Sequence, residues 1–480
     1  MVSVLHSLSR MFGGLALAML LPAAIAVATH DGAGTDFLLV SGLTGFLSGA
    51  IFFALQGRQQ ARFDRGAAFI LATSLWVVLP PIAALPFALH SQMGYPAALF
   101  EAVSGFTTTG ATVYRSLAGA GRSIIFWRSE LQWLGGLATL VTFLTVMAPA
   151  GIGGLSSRGL AVLGGFSNSA QERVGEGLRR LVSVYALFTG ACIILLFLAG
   201  IPTFDAICLA MSTVSTGGFM PVDGNLSVYG SPWAAAIIAV FMIAGGSSVI
   251  FHRSALEGHW STLLEHRETW GLLGMMAVVG VAYSWTFHLG GNALAALGEG
   301  LFNGVSLIST TGYQLRPGGL SGIPDTLLLF LAIGGAGALS TGGGLKYYRL
   351  GAMLVQSRHD LRRLLFPHSV RTTRFGSQPY DMALMKAIWA NLVVAISVIM
   401  LAALALSIRL PSFDAAMVAA VAGFSNIGPL YSQQWLVGAN WPAYADFGVF
   451  AQIVMIITMI LGRIEVLVLF VSLYAAYRRA

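Results

Sequence analysis

The sequence predicts an all-α polytopic membrane protein in which four helix–pore-helix–helix units surround one central pore, with two further transmembrane helices at the N-terminus. Three observations lead to this prediction. The 480 residues are 56% hydrophobic and 9% charged, whereas soluble domains carry roughly a quarter charged residues. Ten apolar segments have the length needed to cross a bilayer. Four short motifs that end in glycine recur about every hundred residues, the size of a membrane hairpin rather than of a soluble repeat.

The ten apolar segments are the candidate spans, and an even number places both termini on one side. The first two form an N-terminal addition at 1–65. The others form four pore units at 66–158, 159–260, 261–358 and 359–480, the third with a broken second helix. The first segment also resembles a signal peptide, but its 18 apolar residues reach spanning length. The segments are Met11–Ala28, Phe37–Leu55, Ala67–His90, Phe126–Pro149, Leu181–Ala199, Trp233–Phe251, Trp270–Leu289, Thr326–Lys346, Ala387–Ile408 and Phe447–Tyr474.

The placement of basic residues predicts the orientation. Of the 26 Lys and Arg residues, 20 fall on the side that carries the termini. Cytoplasmic loops are enriched in these residues, so we expect a multi-pass protein of the inner (plasma) membrane with both termini cytoplasmic. The net charge of +7 then reflects topology and membrane lipid rather than nucleic acid. The basic segment Tyr347–Met385 lies on this side, either as a solvated or lipid-facing loop or as a docking surface for a cytosolic partner.

Four apolar segments at 97–110, 204–217, 299–312 and 415–428 are too short to cross, and each ends at a glycine. We interpret them as re-entrant pore helices, one between the two spans of each unit. Acidic residues near the starts of three of them are better explained as helix N-terminal partners and cation attractors than as a proton relay. These residues are Asp205, Glu299 and Asp414.

The glycine motifs have the composition expected of a cation filter. A ring of backbone carbonyls replaces the water shell of a cation, and glycine allows the backbone to turn its carbonyls toward a common axis. A single such string is more often a helix C-terminal cap, but four in equivalent positions favour a pore lining. The motifs differ, so the filter should be asymmetric. The predicted ligands are Thr108, Thr109, Gly110, Ser215, Thr216, Gly217, Thr310, Thr311, Gly312, Asn426, Ile427 and Gly428.

These motifs resemble those of a known family. SGFTTTGATV, AMSTVSTGGF, SLISTTGY and SNIGP, with FWRSELQWLGG at 126–136 and IGGAGALSTGGGLK at 333–346, are similar to TrkH-type subunits of the Trk/Ktr/HKT potassium-transporter superfamily over nearly the whole chain. The resemblance implies one chain that mimics a tetrameric potassium channel, with filter glycines at Gly110, Gly217, Gly312 and Gly428. Since a serine in the first loop accompanies sodium transport in related plant proteins, Gly110 favours potassium.

The resemblance also implies partners. These are a second copy of the chain, in a homodimer with one pore per subunit, and a cytosolic nucleotide-binding regulatory subunit of the TrkA type. The transported potassium ions are the expected metal, and no organic cofactor is expected in this chain.

The eighth span contains a glycine-rich stretch at 334–344, which destabilises a continuous helix by roughly 1 kcal/mol per Gly relative to Ala. A mobile intramembrane loop is the favoured interpretation, and close helix packing through small residues is the alternative. By resemblance this loop obstructs the pore below the filter, and Leu339 stands where the family has a glycine. The residues assigned to the gate are Ser340, Thr341, Gly342, Gly343 and Gly344.

Arg463 lies within the last span, where an ionised side chain is costly unless it faces a cavity or a partner. It resembles the basic residue that lies near the intracellular obstruction in the family, and it would oppose a passing cation. An intramembrane pair with Glu465 or another acid is the alternative, but Glu465 is two residues away and points to a different helix face.

Potassium uptake by a channel-like transporter is therefore the expected function. The membrane potential would supply about 2.3 kcal/mol per charge per 100 mV, and the intramembrane loop and cytosolic subunit would gate the pore. The alternative is a proton- or sodium-coupled potassium symporter on the same scaffold, which would need a titratable relay. An enzyme is not expected, because the sequence has no His-Glu-x-x-His motif and no Gly-x-Ser with a convincing intramembrane base.

Overall fold

The computed structural model describes residues 2–57, 65–147, 170–287, 292–318, 324–366, 374–375, 378–379, 382–431, 441–464 and 466–477. The α-helices are α1 Val2–Ala18, α2 Leu20–Thr29, α3 Gly34–Ala54, α4 Arg65–Ala83, α5 Leu85–His90, α6 Tyr95–Phe106, α7 Arg122–Thr142, α8 Ala170–Leu198, α9 Thr203–Val214, α10 Pro232–Gly246, α11 Val249–Leu256, α12 Trp260–Glu265, α13 Arg267–Phe287, α14 Ala293–Ile308, α15 Asp325–Gly334, α16 Tyr347–Leu365, α17 Met382–Ser407, α18 Phe413–Phe424, α19 Val449–Ile464 and α20 Val466–Tyr477.

Shorter elements complete the described chain. A π-helix follows α7 at Phe143–Met147, and 3-10 helices lie at Leu226–Tyr229, Gly428–Tyr431 and Tyr444–Asp446. Two strands of two residues each, β1 Arg374–Phe375 and β2 Gln378–Pro379, pair antiparallel. The protein is otherwise helical where it is described, which confirms the predicted fold class.

The N-terminal addition is a pair of antiparallel helices. Helices α1 and α2 form one span of 28 residues, Val2–Thr29, which begins earlier than predicted. Helix α3 packs along α1, and two hydroxyls join them: Ser41 Oγ donates to Ala16 O at 2.7 Å and Ser48 Oγ to Ser9 O at 2.6 Å. Such interhelical hydrogen bonds satisfy polar groups that lipid cannot.

Each of the four units contains a short helix between two longer segments. These short helices are α6, α9, α14 and α18, with 12, 12, 16 and 12 residues. At about 1.5 Å per residue each is shorter than the ~30 Å hydrocarbon core. All four lie close to the predicted segments, so the repeated pattern of long helix, short helix and second helix is confirmed.

The second segments of the units are less continuous than predicted. The chain turns by 109° between α10 and α11, and by 93° between α19 and α20. The predicted spans Trp233–Phe251 and Phe447–Tyr474 are therefore wrong as continuous helices, while the break after Gly334 in the third unit is confirmed. In the second unit the break falls at Ser247-Ser248, directly after Gly245-Gly246 at the end of α10, where two glycines weaken the last turn of the helix.

These breaks change the count of spans. Five helices among the described residues are long and apolar enough to cross a membrane, or seven if each bent pair counts as one. The expected unit boundaries at 260/261 and 358/359 fall inside α12 and α16 and stay predictions. The boundary at 158/159 lies outside the described residues.

Candidate ion pathway

All four pore helices end in the same backbone motif. The second residue after each helix is left-handed: Thr108 (φ 54°), Thr216 (φ 53°), Thr310 (φ 64°) and Asn426 (φ 53°). The next amide donates back to the carbonyl five residues earlier, for example Thr109 N to Ser104 O at 2.8 Å and Gly217 N to Ser212 O at 2.7 Å. This is a Schellman cap. Glycine normally fills its left-handed position, and a β-branched threonine there is strained.

The caps correct the alignment of the second loop by one residue. Counted from the helix ends, the fourth residues are Gly110, Gly218, Gly312 and Gly428. Gly110, Gly218 and Gly312 have φ of 78°, 81° and 82°. The predicted equivalence of Gly217 with the other three glycines is therefore wrong, because Gly217 occupies the position of Thr109 and Thr311. We call residues 107–110, 215–218, 309–312 and 425–428 the glycine loops.

The glycine loops touch one another in a closed ring. A Cβ on Gly110 would lie 2.3 Å from Gly217 O, and one on Gly218 would lie 2.1 Å from Thr311 O. A Cβ on Gly312 would lie 2.9 Å from Pro429 Cγ, and one on Gly428 would lie 2.1 Å from Ala111 N. Each glycine loop, or the residue directly after it, thus meets the glycine loop of the next unit, and the fourth meets the first. Only glycine permits these approaches without displacement of the neighbouring chain.

The ring opens into a cavity of about 450 Å³ on the side of the segments that lead from the loops to the second helices. All four cap glycines line it, together with Arg128 and Tyr114. Burial, with a contribution from the Glu101 carboxylate, raises the pKa of Tyr114 to about 12, so that its hydroxyl stays protonated. One vestibule therefore serves all four loops.

The ring is asymmetric, as predicted. Thr109 O accepts from Gly428 N at 2.6 Å, Gly217 O accepts from Gln132 Nε2 at 2.7 Å, and Gly428 O accepts from the hydroxyl of Tyr444 at 2.9 Å. A carbonyl oxygen has two lone pairs, so these groups can still face an ion. The four walls consequently differ in how firmly their carbonyls are oriented.

A buried ion pair that the sequence analysis missed braces the first two loops. Arg128 Nε lies 2.7 Å from Glu101 Oε1, and the side chains are 2% and 0% exposed. Glu101 also accepts from Thr112 Oγ1 at 3.0 Å and from Val113 N at 2.9 Å. The Arg128 guanidinium lies 4.1 Å from the centre of the Phe219 ring in the second unit. The pair therefore ties together the segments that leave both loops.

Residues 335–346, which we call the third-unit loop, lie directly against the glycine loops. Gly343 N donates to Thr310 Oγ1 at 2.7 Å, and the hydroxyls of Thr341 and Thr216 are 3.3 Å apart. A Cβ on Gly343 would lie 2.1 Å from Ser425 O. The loop thus contacts three of the four glycine loops at or next to their left-handed residues, and Ser340 and Thr341 are only 2% exposed.

The broken second helix of unit 2 supports the third-unit loop from the side. Gly337 N donates to Gly246 O at 2.8 Å, Thr341 N to Gly245 O at 3.1 Å, and Val249 N to Leu339 O at 3.1 Å. Leu339 has φ of 52°. The residue that replaces the glycine expected from the resemblance is therefore left-handed, a conformation that costs leucine about 1–2 kcal/mol.

The comparisons with known proteins agree with this geometry. A family model described as TrkH, cation transport protein, matches residues 46–277 and 292–476. The chain belongs to the TrkH family. It is 30% identical to "Trk system potassium uptake protein TrkH" of Salmonella typhimurium, with 94% of each chain covered. It is 28% identical, with the same coverage, to the protein of that name from Escherichia coli K12.

The solved structures extend the likeness to three dimensions. "Crystal Structure of the Potassium Transporter TrkH from Vibrio parahaemolyticus" matches with a TM-score of 0.85 at 26% identity, covering 98% of each chain. The family resemblance that the motifs carried is therefore confirmed, and so is a multi-pass membrane protein built from pseudo-repeated units.

A second repeat becomes visible in this TrkH-family chain once the pore helices are placed. Pairs of residues at the second helices read Gly135-Gly136, Gly245-Gly246, Gly334-Gly335 and Gly462-Arg463. In units 1, 2 and 4 the first glycine lies against the last residue of the pore helix, because a Cβ there would lie 1.8 Å from Phe106 O, 2.7 Å from Val214 O and 1.9 Å from Phe424 O. Arg463 therefore occupies a position that is glycine in units 1 and 2, and in the sequence motif of unit 3.

Arg463 joins the fourth unit to the third-unit loop. Its Nη2 donates to Thr341 O at 2.6 Å, and the side chain is 6% exposed. Nε and Nη1 have no hydrogen-bond partner among the described residues. The guanidinium borders a cavity of about 30 Å³ shared with Trp76, Gly343 and Lys346. The alternative partner Glu465 lies outside the described residues.

Proposed function

We propose that the chain forms the pore of a potassium-uptake system of the cell membrane, with the glycine loops as its selectivity filter. The closed ring of the four loops carries the proposal. In this proposal the ring presents backbone carbonyls around one axis, which is how a filter replaces the hydration shell of a cation. The C-terminal, partly negative ends of four pore helices meet at the ring and favour a cation there. The relatives, named as potassium uptake proteins, support potassium as the ion.

The third-unit loop and Arg463 form the gate in this proposal. The loop contacts three glycine loops from one side of the ring, and Arg463 holds its Thr341 carbonyl. A guanidinium placed beneath the ring raises the energy of a passing cation, since charges interact strongly in a low-dielectric interior. Opening requires the loop to leave the ring, and the glycines at 342–344 give its backbone the freedom to do so.

The proposed assembly follows the Trk system to which the relatives belong. We infer a homodimer, with one pore per subunit, and a cytosolic TrkA-type regulatory subunit that opens the gate. The excess of Lys and Arg on the side of the termini supports a cytoplasmic location for both ends. The vestibule of 450 Å³ then faces the outside.

A proton- or sodium-coupled symporter is the second candidate, and Glu130 is the observation that favours it. This residue of α7 is 3% exposed, and its Oε2 has no hydrogen-bond partner among the described residues. Buried carboxyl groups in membrane helices are common in proton pathways. Glu101, the other buried acid of this unit, is already held by Arg128.

Flux measurements on the purified chain in liposomes test the proposal. We expect rubidium or potassium uptake that follows an imposed membrane potential. Sodium should compete only weakly with this uptake. The uptake should rise when the cytosolic subunit and its nucleotide are added. A requirement for a proton or sodium gradient, abolished by Glu130→Gln, would instead establish the symporter.

A further inference from the structure

A buried carboxylate outside the ring contacts the third-unit loop. Glu268 is the second residue of α13 and is 9% exposed. Its Oε1 accepts a hydrogen bond from Ala338 N at 2.5 Å. We propose that Glu268 is a positioning residue that holds the gate closed by fixing the backbone at Ala338. This inference rests on the proposed role of the third-unit loop as the gate.

The bond lies at one end of a five-residue segment, Ala338 to Gly342, which includes the contact of Thr341 with the second glycine loop and leads directly to Gly343. Glu268 binds the amide of its first residue, and Lys346 Nζ donates to the carbonyl of its last residue. A carboxyl group thus holds an amide at one end, and an ammonium group holds a carbonyl at the other. Both are side chains, so either bond can be removed by substitution without a change in the backbone.

The position of Glu268 also links the loop to a surface segment. Val249, the first residue of α11, donates its amide to Leu339 O at 3.1 Å. Residues 249–268 run through α11 and α12 to the start of α13, so this segment binds adjacent residues of the loop, Leu339 and Ala338, at its two ends. Movement of α13 relative to α11 would separate these two anchors. Of the two anchors, Val249 and Glu268, only Glu268 binds the loop through its side chain, so a substitution can remove that bond.

Partner-free rubidium flux in liposomes tests the role of Glu268. We expect Glu268→Ala to raise the flux about tenfold, the size of change expected when a buried amide loses its hydrogen-bond acceptor. Glu268→Gln keeps an oxygen that can accept from Ala338 N, so it should restore most of the closed behaviour. Glu265→Ala, an exposed acid three residues earlier, is the matched control and should leave the flux unchanged. Potassium over sodium preference should be the same in all three variants.

A thiol placed in the loop supplies a second measurement. Both native cysteines, Cys192 and Cys208, are buried, so Ser340→Cys would react with a membrane-impermeant thiol reagent only when the loop moves. We expect faster labelling when Glu268→Ala is added to this background and little change when Glu268→Gln is added.

The outcomes separate this inference from the proposed gate. If Arg463→Ala raises partner-free flux and Glu268→Ala leaves both flux and labelling unchanged, the gate stands and the role of Glu268 is wrong. If neither variant changes flux or labelling, the gate itself is wrong. Loss of ion preference in Glu268→Ala, or equal effects of the alanine and glutamine variants, would show damage to the fold and overturn the positioning role.

Discussion

The ring of glycine loops and the third-unit loop are held in different ways. The ring is built four times from the same cap, and each loop rests on the backbone of the next at a distance that excludes a Cβ. The third-unit loop occurs once. It meets a glycine loop as closely at Gly343, and separate hydrogen bonds with the second unit, Thr310, Glu268 and Arg463 hold it elsewhere. Removal of one bond leaves the others in place. Backbone packing repeated in all four glycine loops suits the proposed filter, whereas an element that occurs once and is held mostly by separate hydrogen bonds suits the proposed gate.

Gly110→Ser should give the largest effect on the ring. The side chain would begin 2.3 Å from Gly217 O, at a residue with φ of 78° that L side chains rarely adopt. We expect loss of most potassium flux and of the preference for potassium over sodium, measured as rubidium uptake in liposomes with sodium competition. Gly119→Ala, where a Cβ meets nothing within 4 Å, is the control. An unchanged preference for potassium over sodium would contradict the assignment of residues 107–110 to the filter.

Gly218→Ala compared with Gly217→Ala tests the corrected alignment of the second loop. At Gly218 a Cβ would lie 2.1 Å from the backbone oxygen of Thr311, at φ of 81°. At Gly217 the conflict is with the Gln132 side chain, which would have to give up its bond to Gly217 O but yields more readily than a backbone. Potassium flux should therefore fall much further in Gly218→Ala. The opposite order would restore Gly217 as the equivalent of Gly110.

Arg128→Met tests whether the brace behind the ring contributes to stability. It leaves the Glu101 carboxylate buried without its cation, and breaking such a pair costs about 3–5 kcal/mol. A clear fall in the thermal unfolding temperature of the detergent-solubilised protein is expected. Arg115→Met removes a partner of Asp446 that is 74% exposed, and exposed pairs contribute only about 0–1 kcal/mol. Similar losses in the two variants would contradict the bracing role.

Arg463→Ala should have the smallest effect on structure and a measurable effect on flux. Two unit charges about 8 Å apart at an effective dielectric of about 20 repel by roughly 2 kcal/mol. Partner-free rubidium flux should therefore rise by roughly tenfold or more. Arg463→Lys retains the charge but lacks the planar guanidinium that reaches Thr341 O, so partner-free flux should rise less in this variant. If the two variants behave alike, the contact with the loop matters more than the charge.

The sequence predicted the repeated parts of the molecule well. The pore helices and their terminal glycines were found because their length and composition recur in each unit. The second loop was misaligned by one residue because Gly217 and Gly218 are adjacent, and only the helix end at Val214 decides between them. The break after Gly245-Gly246 was missed because the surrounding residues are as apolar as an intact span. The pair of Glu101 and Arg128 was missed because the residues are 27 positions apart and belong to different helices.

The substitution of arginine for glycine at only one of the four equivalent positions has a consequence for stoichiometry. A channel made of four identical chains would place either no guanidinium or four around its axis, and four charges would repel a passing cation about four times as strongly as one. A single chain with four unequal units places one guanidinium there. In the proposed gate the barrier is then small enough for movement of a single loop to lower it, while units 1 and 2 keep the glycines on which close packing depends.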